Sequence, residues 1–354
     1  MMILSNALWI DYFNGRVTPQ METHPIFPPM PARPMTHCAT VTALPDGALL
    51  AAWYAGSREG AVDVAILSAI YQGGVWSEPR VIVQIPEHSV GQPVFLPRAN
   101  GEVWLFFVII GGLEPPSLLR RVANSVSLVS GWRSAQPFWQ RSLDGGKTWE
   151  APRQIMDYPG LMFRSHPLIL PGRIILPVYD ENTWQSRMLL SGDDGNTWRL
   201  SQLISTPAGN IQPCLAPLTG GRLLAYLRTG GPGGWIWRTI SLDQGETWEA
   251  PTPTVLPNPN SGIDLLRLQS GKLVLAYNPS DRLRTPLCVA ISGEDERWQA
   301  RRSLEQGQGE FSYPALAQTS DEAIHLVYTY KRQHIQHARF PASWLVGEEP
   351  EHAI

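Results

Sequence analysis

Six segments of this chain share one layout of apolar and polar positions. They are "THCATVTALPDGALLAAWY", "GQPVFLPRANGEVWLFFVI", "SHPLILPGRIILPVY", "IQPCLAPLTGGRLLAYLR", "SGIDLLRLQSGKLVLAYN" and "SYPALAQTSDEAIHLVYT". Each is a short apolar run, a turn rich in Gly or Asp, then a longer apolar run. None keeps the i, i+3, i+4 spacing of a helix over a useful length, so the pattern predicts strands. Two further strands and their turns complete a four-stranded antiparallel meander each time. Six such meanders set radially make an all-β, six-bladed β-propeller.

A second repeat marks the turns. "SLDGGKTW" at 142–149, "SGDDGNTW" at 191–198 and "SLDQGETW" at 241–248 recur with a period of about 50 residues. A worn copy, "SGEDERW", begins at Ser292, and a weaker one, "SAIYQGGVW", at Ser68. In each box the Ser and Asp side chains suit bonds to nearby backbone N–H groups, and Gly accepts positive φ. The Trp then packs against a neighbouring layer. These turns are expected to staple blades together and to stand apart from any substrate. The Pro-rich "HPIFPPMPARP" predicts an extended strap, and "ALWIDYF" upstream a strand that closes the ring on the last blade. One propeller domain is expected over 1–354, with strand and strap in 1–35 and an insertion at 113–139 in the second blade. Trp132, Arg133, Trp139, Arg120 and Arg121 make that insertion a candidate substrate cover.

Composition narrows the partners. Only 17% of residues are charged, the formal net charge is −3, and no basic run or tail occurs, which argues against nucleic acid and anionic membrane. The longest apolar run, "VWLFFVII", is too short to cross a bilayer, and no signal peptide is read at the start, so a cytoplasmic chain is expected with export by another route left open. Three widely spaced cysteines fit neither a disulfide framework nor a zinc site. No ligand-spacing motif surrounds His37, Glu59 and Asp63, so no metal and no cofactor is expected. The expected partner is a small-molecule or oligosaccharide substrate; the pattern sets no oligomeric state.

In a propeller, first-strand starts and second-to-third-strand loops share one face, where ligands bind. First-strand starts bring His37, Gln92, His166, Gln212 and Tyr313 to that mouth. The loops bring Arg58, Glu59 and Asp63, then Asp180 and Glu181, Arg228, Asp281, Arg282 and Arg284, and Lys331 with Arg332. A charge-poor chain thus gathers its ionisable groups at one place.

The boxes on a sixfold repeat resemble the sialidase (neuraminidase) superfamily, and more closely its BNR-repeat, sialidase-like branch, from about His37 to His337. The resemblance implies a Tyr nucleophile at Tyr313 in "EFSYPAL". It implies carboxylate-binding arginines at Arg228 in "LLAYLRTGG" and at Arg284, with Arg282 second, in "RLRTPLCVAIS". It implies an acid/base catalyst at Glu59 or Asp63 in "SREGAVD". Two positions depart from the family pattern. His37 in "THCAT" stands where the first arginine belongs, with Arg33 four residues early, and Gln212 in "IQPCL" stands where the glutamate that helps the Tyr belongs.

The chemistry of these residue types leaves three functions open. A phenol with an ordinary pKa near 10 needs a base or a cationic field to attack. Guanidinium pairs suit a substrate carboxylate. As Gln212 cannot take a proton, Glu310 or His37 is the expected helper. An exo-acting glycoside hydrolase for a carboxylate-bearing sugar is one reading. Uronate cleavage or elimination with His37 and Tyr313 is the second, and a carbohydrate-binding propeller without turnover the third. Arg58, Gln92, Gln212 and His166 are candidate substrate contacts in each.

Overall fold

The computed structural model describes residues 20–113, 131–231 and 234–346. Six antiparallel sheets stand around a central axis as the blades of a propeller. Blade 1 carries Met35–Ala43, Leu49–Gly56, Ala65–Gln72 and Arg80–Val83 from axis to rim, and blade 2 carries Val90–Pro97, Val103–Ile110, Ala135–Ser142 and Arg153–Gln154. In blade 3 the inner strand is split into Leu161–Phe163 and Leu168–Leu170, both paired with Arg173–Asp180. Blades 4 and 5 begin at Asn210 and Asp264. Second strands such as "LLAAWYAG" and "VWLFFVII" are buried along their whole length, because both faces of each blade pack on a neighbour.

Blade 6 takes Phe311–Gln318, Ile324–Tyr330 and His334–Phe340 from the end of the chain and its outermost strand, Glu22–Pro25, from the beginning. Ring closure by an N-terminal strand thus holds, but at the head of the Pro-rich strap; "ALWIDYF" lies outside the described residues. In this blade His325 and His337 are buried, and His334 is half-buried. His24 Nε2 meets His337 Nδ1 at 3.2 Å, His337 Nε2 meets His325 Nδ1 at 3.0 Å, and His325 Nε2 meets Thr319 Oγ1 at 3.2 Å. Trp76 Nε1–H also donates to His337 Nδ1, at 3.2 Å. This row of imidazoles latches the closing strand onto blade 6 and blade 6 onto blade 1.

The three strong boxes fold alike. The Ser hydroxyl donates to the Asp carboxylate at 2.8 Å in all three and accepts the Gly N–H at 2.7 or 2.8 Å. The same carboxylates accept the Thr N–H at 2.8–2.9 Å and the Thr hydroxyl at 2.5–2.7 Å. A Cβ on Gly146 would strike Leu50 of blade 1 at 2.7 Å, and one on Gly195 would strike Trp104 of blade 2 at 2.4 Å. Each turn therefore closes its own hairpin and seats on the preceding blade. The outlying copies do not: Ser292 Oγ has no hydrogen-bond partner among the described residues, and Ser68 lies inside the strand Ala65–Gln72. The second-blade insertion is shorter than read from sequence, since residues 135–139 are already third strand; Arg120 and Arg121 lie outside the described residues.

Candidate active site

Four inner strands start with the same backbone feature. Cys38, Gln92, Gln212 and Tyr313 have φ of 56°, 55°, 54° and 54°, each where the ladder to the second strand slips. A bulge with a left-handed residue re-aims its side chain, at a cost of about 1–3 kcal/mol for a non-glycine residue. The four side chains meet across blades. Cys38 Sγ donates to Gln92 Oε1 at 3.0 Å, and Arg228 Nη1 bridges Gln212 Oε1 and the Tyr313 hydroxyl at 2.8 Å each. In blade 5 a Cβ on Gly262 would come within 3.1 Å of Gln212 Oε1 and 3.4 Å of the Tyr313 ring, so glycine keeps that place open.

This register corrects one alignment. Cys38, not His37, matches Gln92, Gln212 and Tyr313. His37 sits one residue earlier, 1% exposed, with Nδ1 3.0 Å from Thr329 Oγ1 and its ring 4.3 Å from that of Tyr313. Burial, reinforced by Arg332, pushes its pKa well below the ordinary histidine value, so it stays neutral. Burial also pushes the Cys38 thiol up to about 11, which keeps it a neutral donor.

Tyr313 is ringed by cations. The guanidinium carbons of Arg164, Arg284 and Arg228 lie 5.3, 5.4 and 5.7 Å from its ring centroid, within cation–π range. Arg164 was missed in the sequence; it is 2% exposed and donates to Pro314 O at 2.6 Å and Ala39 O at 3.4 Å. Its only signal is an arginine just before an inner strand of a charge-poor chain. Neither Glu310 nor His37, the expected helpers, hydrogen-bonds the Tyr313 hydroxyl.

The carboxylates are placed unequally. Glu310 binds Arg284 Nη1 at 2.8 Å, Arg332 Nε at 2.9 Å and the Ser312 hydroxyl at 2.6 Å. Burial alone would raise its pKa, but Arg332, Ser312 and Arg284 outweigh that and hold it at about 2. Glu59 accepts from Arg332 Nη1 at 2.6 Å, Trp132 Nε1 at 3.2 Å and the Tyr54 hydroxyl at 3.3 Å. Trp132 reaches it because Gly91 has no Cβ to meet the indole at 2.6 Å. Asp63 binds Ser57 N–H and hydroxyl at 2.8 Å each, closing its own loop, while Arg58 is half-buried in that loop. Arg33 ties the strap to blade 1 through the carbonyls of Ala55 and Asp63.

Of the remaining expectations, His166 stands 3.5 Å from buried Asp264; burial would lower its pKa, but Asp264 raises it on balance. Arg282 has an 84% exposed side chain beside Asp281, away from the cluster. Arg284 also donates to Asn260 O at 3.2 Å, and Arg228 Nε to Asn260 Oδ1 at 2.8 Å, so Asn260 is a second residue the sequence did not mark. His37, Glu59 and Asp63 are not gathered as a ligand set, and no such group occurs among the described residues.

The comparisons with known proteins fall on this frame. No curated protein matches the chain. The crystal structure of a protein of unknown function from Dyadobacter fermentans superposes with a TM-score of 0.74 at 19% identity, covering 90% of this chain and 98% of that one. The Hadza microbial sialidase Hz136 gives 0.72 at 16% identity, over 89% and 67%. The intramolecular trans-sialidase from Ruminococcus gnavus, solved with oseltamivir carboxylate, gives 0.68 at 16% identity, over 89% and 96%. At these identities the likeness is one of fold. The profile of the BNR repeat-like domain matches residues 47–326, most of the chain, and on that ground the protein belongs to the BNR repeat-like family.

Proposed function

We propose that the mouth binds a carboxylate-bearing sugar and cleaves its glycosidic bond, with Tyr313 as nucleophile. One observation carries the reading. Arg228 is 5% exposed, yet its hydrogen-bond partners are all neutral: Gln212, Asn260 and Tyr313. A buried guanidinium without a bonded carboxylate is costly, and a ligand carboxylate supplies the missing partner as a planar pair. Arg284 stands beside it, half neutralised by Glu310. A sugar held this way offers its anomeric carbon to the hydroxyl of Tyr313. The phenol oxygen bonds to that carbon as the glycosidic C–O bond breaks and its electrons leave with the aglycone oxygen, which takes up a proton. The phenol proton passes to water, and water later displaces the tyrosine oxygen and releases the sugar.

Gln212 offers an amide where a base would speed the first step, so turnover is expected to be slow. Such a base commonly contributes about 10²–10⁴-fold. The same feature supports a second reading, a propeller that binds acidic sugars without turning them over. The experiment uses 4-methylumbelliferyl sialoside and glucuronide with wild type and Tyr313→Phe, and calorimetric binding of the free sugar acids. Fluorophore release by wild type, lost in Tyr313→Phe while binding persists, is the expected result. Saturable binding with no turnover of either glycoside replaces the first reading by the second, and unchanged turnover in Tyr313→Phe removes the nucleophile.

A further inference from the structure

Glycoside cleavage needs a proton for the departing oxygen, and the obvious carboxyls are committed. Glu310 is held by two arginines and a serine, and Asp63 closes its own loop. Glu59 accepts from three donors, among them Arg332 Nη1 at 2.6 Å, so its oxygens are already engaged.

Glu181 is built differently. It stands on the turn after the strand Arg173–Asp180, and neighbours fix that turn from both sides. Asp180 accepts from Asn182 N–H at 2.7 Å, the Thr183 hydroxyl at 3.0 Å and the Tyr158 hydroxyl at 3.2 Å. Asn182 donates to Pro159 O at 2.9 Å and Arg133 O at 3.2 Å, and Glu181 N–H to Gly160 O at 2.9 Å. Every other side chain of residues 180–183 is thus hydrogen-bonded. The Glu181 carboxyl alone has no hydrogen-bond partner among the described residues. It is half-buried on the second-to-third-strand loop of blade 3, at the mouth, and feels the charges of Arg228, Arg133 and Glu59. Burial raises its pKa, and the arginines only partly offset this.

We propose that Glu181, presented by a turn fixed on both sides and with its carboxyl unbonded among the described residues, is the proton donor to the leaving oxygen; this rests on the glycosidase reading above. In the first step the Glu181 O–H bond breaks and its proton goes to the glycosidic oxygen. The electrons of the anomeric C–O bond leave with that oxygen, as a neutral alcohol. Tyr313 oxygen supplies the pair for the new bond and gives its proton to water. In the second step Glu181 takes a proton from the attacking water, and the tyrosine oxygen leaves and regains its proton from solvent.

The test compares two glycosides of the same acidic sugar, one with a 4-methylumbelliferyl leaving group and one linked to lactose. The aryl group departs without a proton, whereas the lactose oxygen needs one. Glu181→Gln is expected to lose about 100-fold on the lactose-linked substrate and less than about 5-fold on the aryl one. The fall of wild-type activity towards high pH should vanish in the variant. Glu59→Gln, which loosens Trp132 and Arg332, is expected to lower both substrates alike. Equal losses on both substrates in Glu181→Gln, or no loss on the lactose-linked one, overturn the assignment. A wild type that turns over the aryl glycoside keeps the glycosidase reading whatever Glu181 does. One that turns over neither ends that reading and the donor role together.

Discussion

The two faces of the propeller use carboxylates in opposite ways. On one face Asp144, Asp193 and Asp243 repeat a single arrangement, each paired with its own Ser, Thr and backbone within an eight-residue turn. At the mouth Glu310, Glu59 and Glu181 occupy three unrelated settings, one locked by arginines, one by mixed donors, one left open. Even a shared outcome has different causes. Asp144 and Glu310 both sit at about 2, the first mainly through the Thr148 N–H, the second through arginines and Ser312 against the opposing effect of burial. Where the task is to hold a hairpin, one local solution recurs. Around the mouth, partners come from distant blades, and each position is individual.

The sharpest way to break the comparison is at the mouth. Arg228→Ala is expected to lower kcat/KM, or acidic-sugar affinity, by about 10³-fold, roughly 4 kcal/mol, by removing a desolvated bidentate partner. Melting temperature should fall little. A variant that keeps its affinity would mean that the carboxylate is held elsewhere.

The closing seam tests a third kind of site, one that senses acid earlier than either face. Burial lowers His24, holds His325 at about 4 and holds His337 at about 2, so the folded chain keeps them neutral while the unfolded chain binds protons below about 6.5. Stability from these histidines is full above pH 6.5 and falls as pH drops from there to the folded values. Glu310 and the box carboxylates, with lowered pKa, keep their contribution above about 4.5 and lose it only towards 2. Between pH 6.5 and 5 the imidazole row should therefore cost about 2 kcal/mol per deeply buried histidine. Denaturant melts of wild type and His337→Gln read this directly. An equal slope in both would remove the row from the account.

The smallest effect belongs to the box face. Asp243→Ala loses the bonds to Ser241 and Thr247, worth about 1–2 kcal/mol in all at an exposed turn, with no change in KM. A change in KM would show that the two faces are coupled.

The fold was legible because its signals are local. Box turns and strand–turn–strand runs lie within contiguous stretches, and their spacing alone gives six blades. The mouth was legible residue by residue where loops carry charge, as with Arg228, Arg284 and Glu59. What escaped depends on register and distance. A one-residue bulge puts Cys38 rather than His37 in line with Tyr313, and no apolar pattern reveals such a slip. Arg164 and Asn260 matter through partners 150 and 24 residues away. The imidazole row joins His24 to His337 across 313 positions, so no local pattern brings its histidines together before the ring is closed.

That closure has a consequence for how the chain is made. Glu22–Pro25 pairs with His334–Phe340, so the earliest of the described strands has no partner until the last of them has been made. Until then the hairpins of the successive blades can form behind it, but the ring stays open and blade 6 lacks its rim. A nascent chain thus carries an unpaired edge at each end, the sort of edge another molecule can capture. Blade 6 is the last blade that can be completed, and a chain stopped before His334 leaves the ring open with an unpaired strand at each side of the gap.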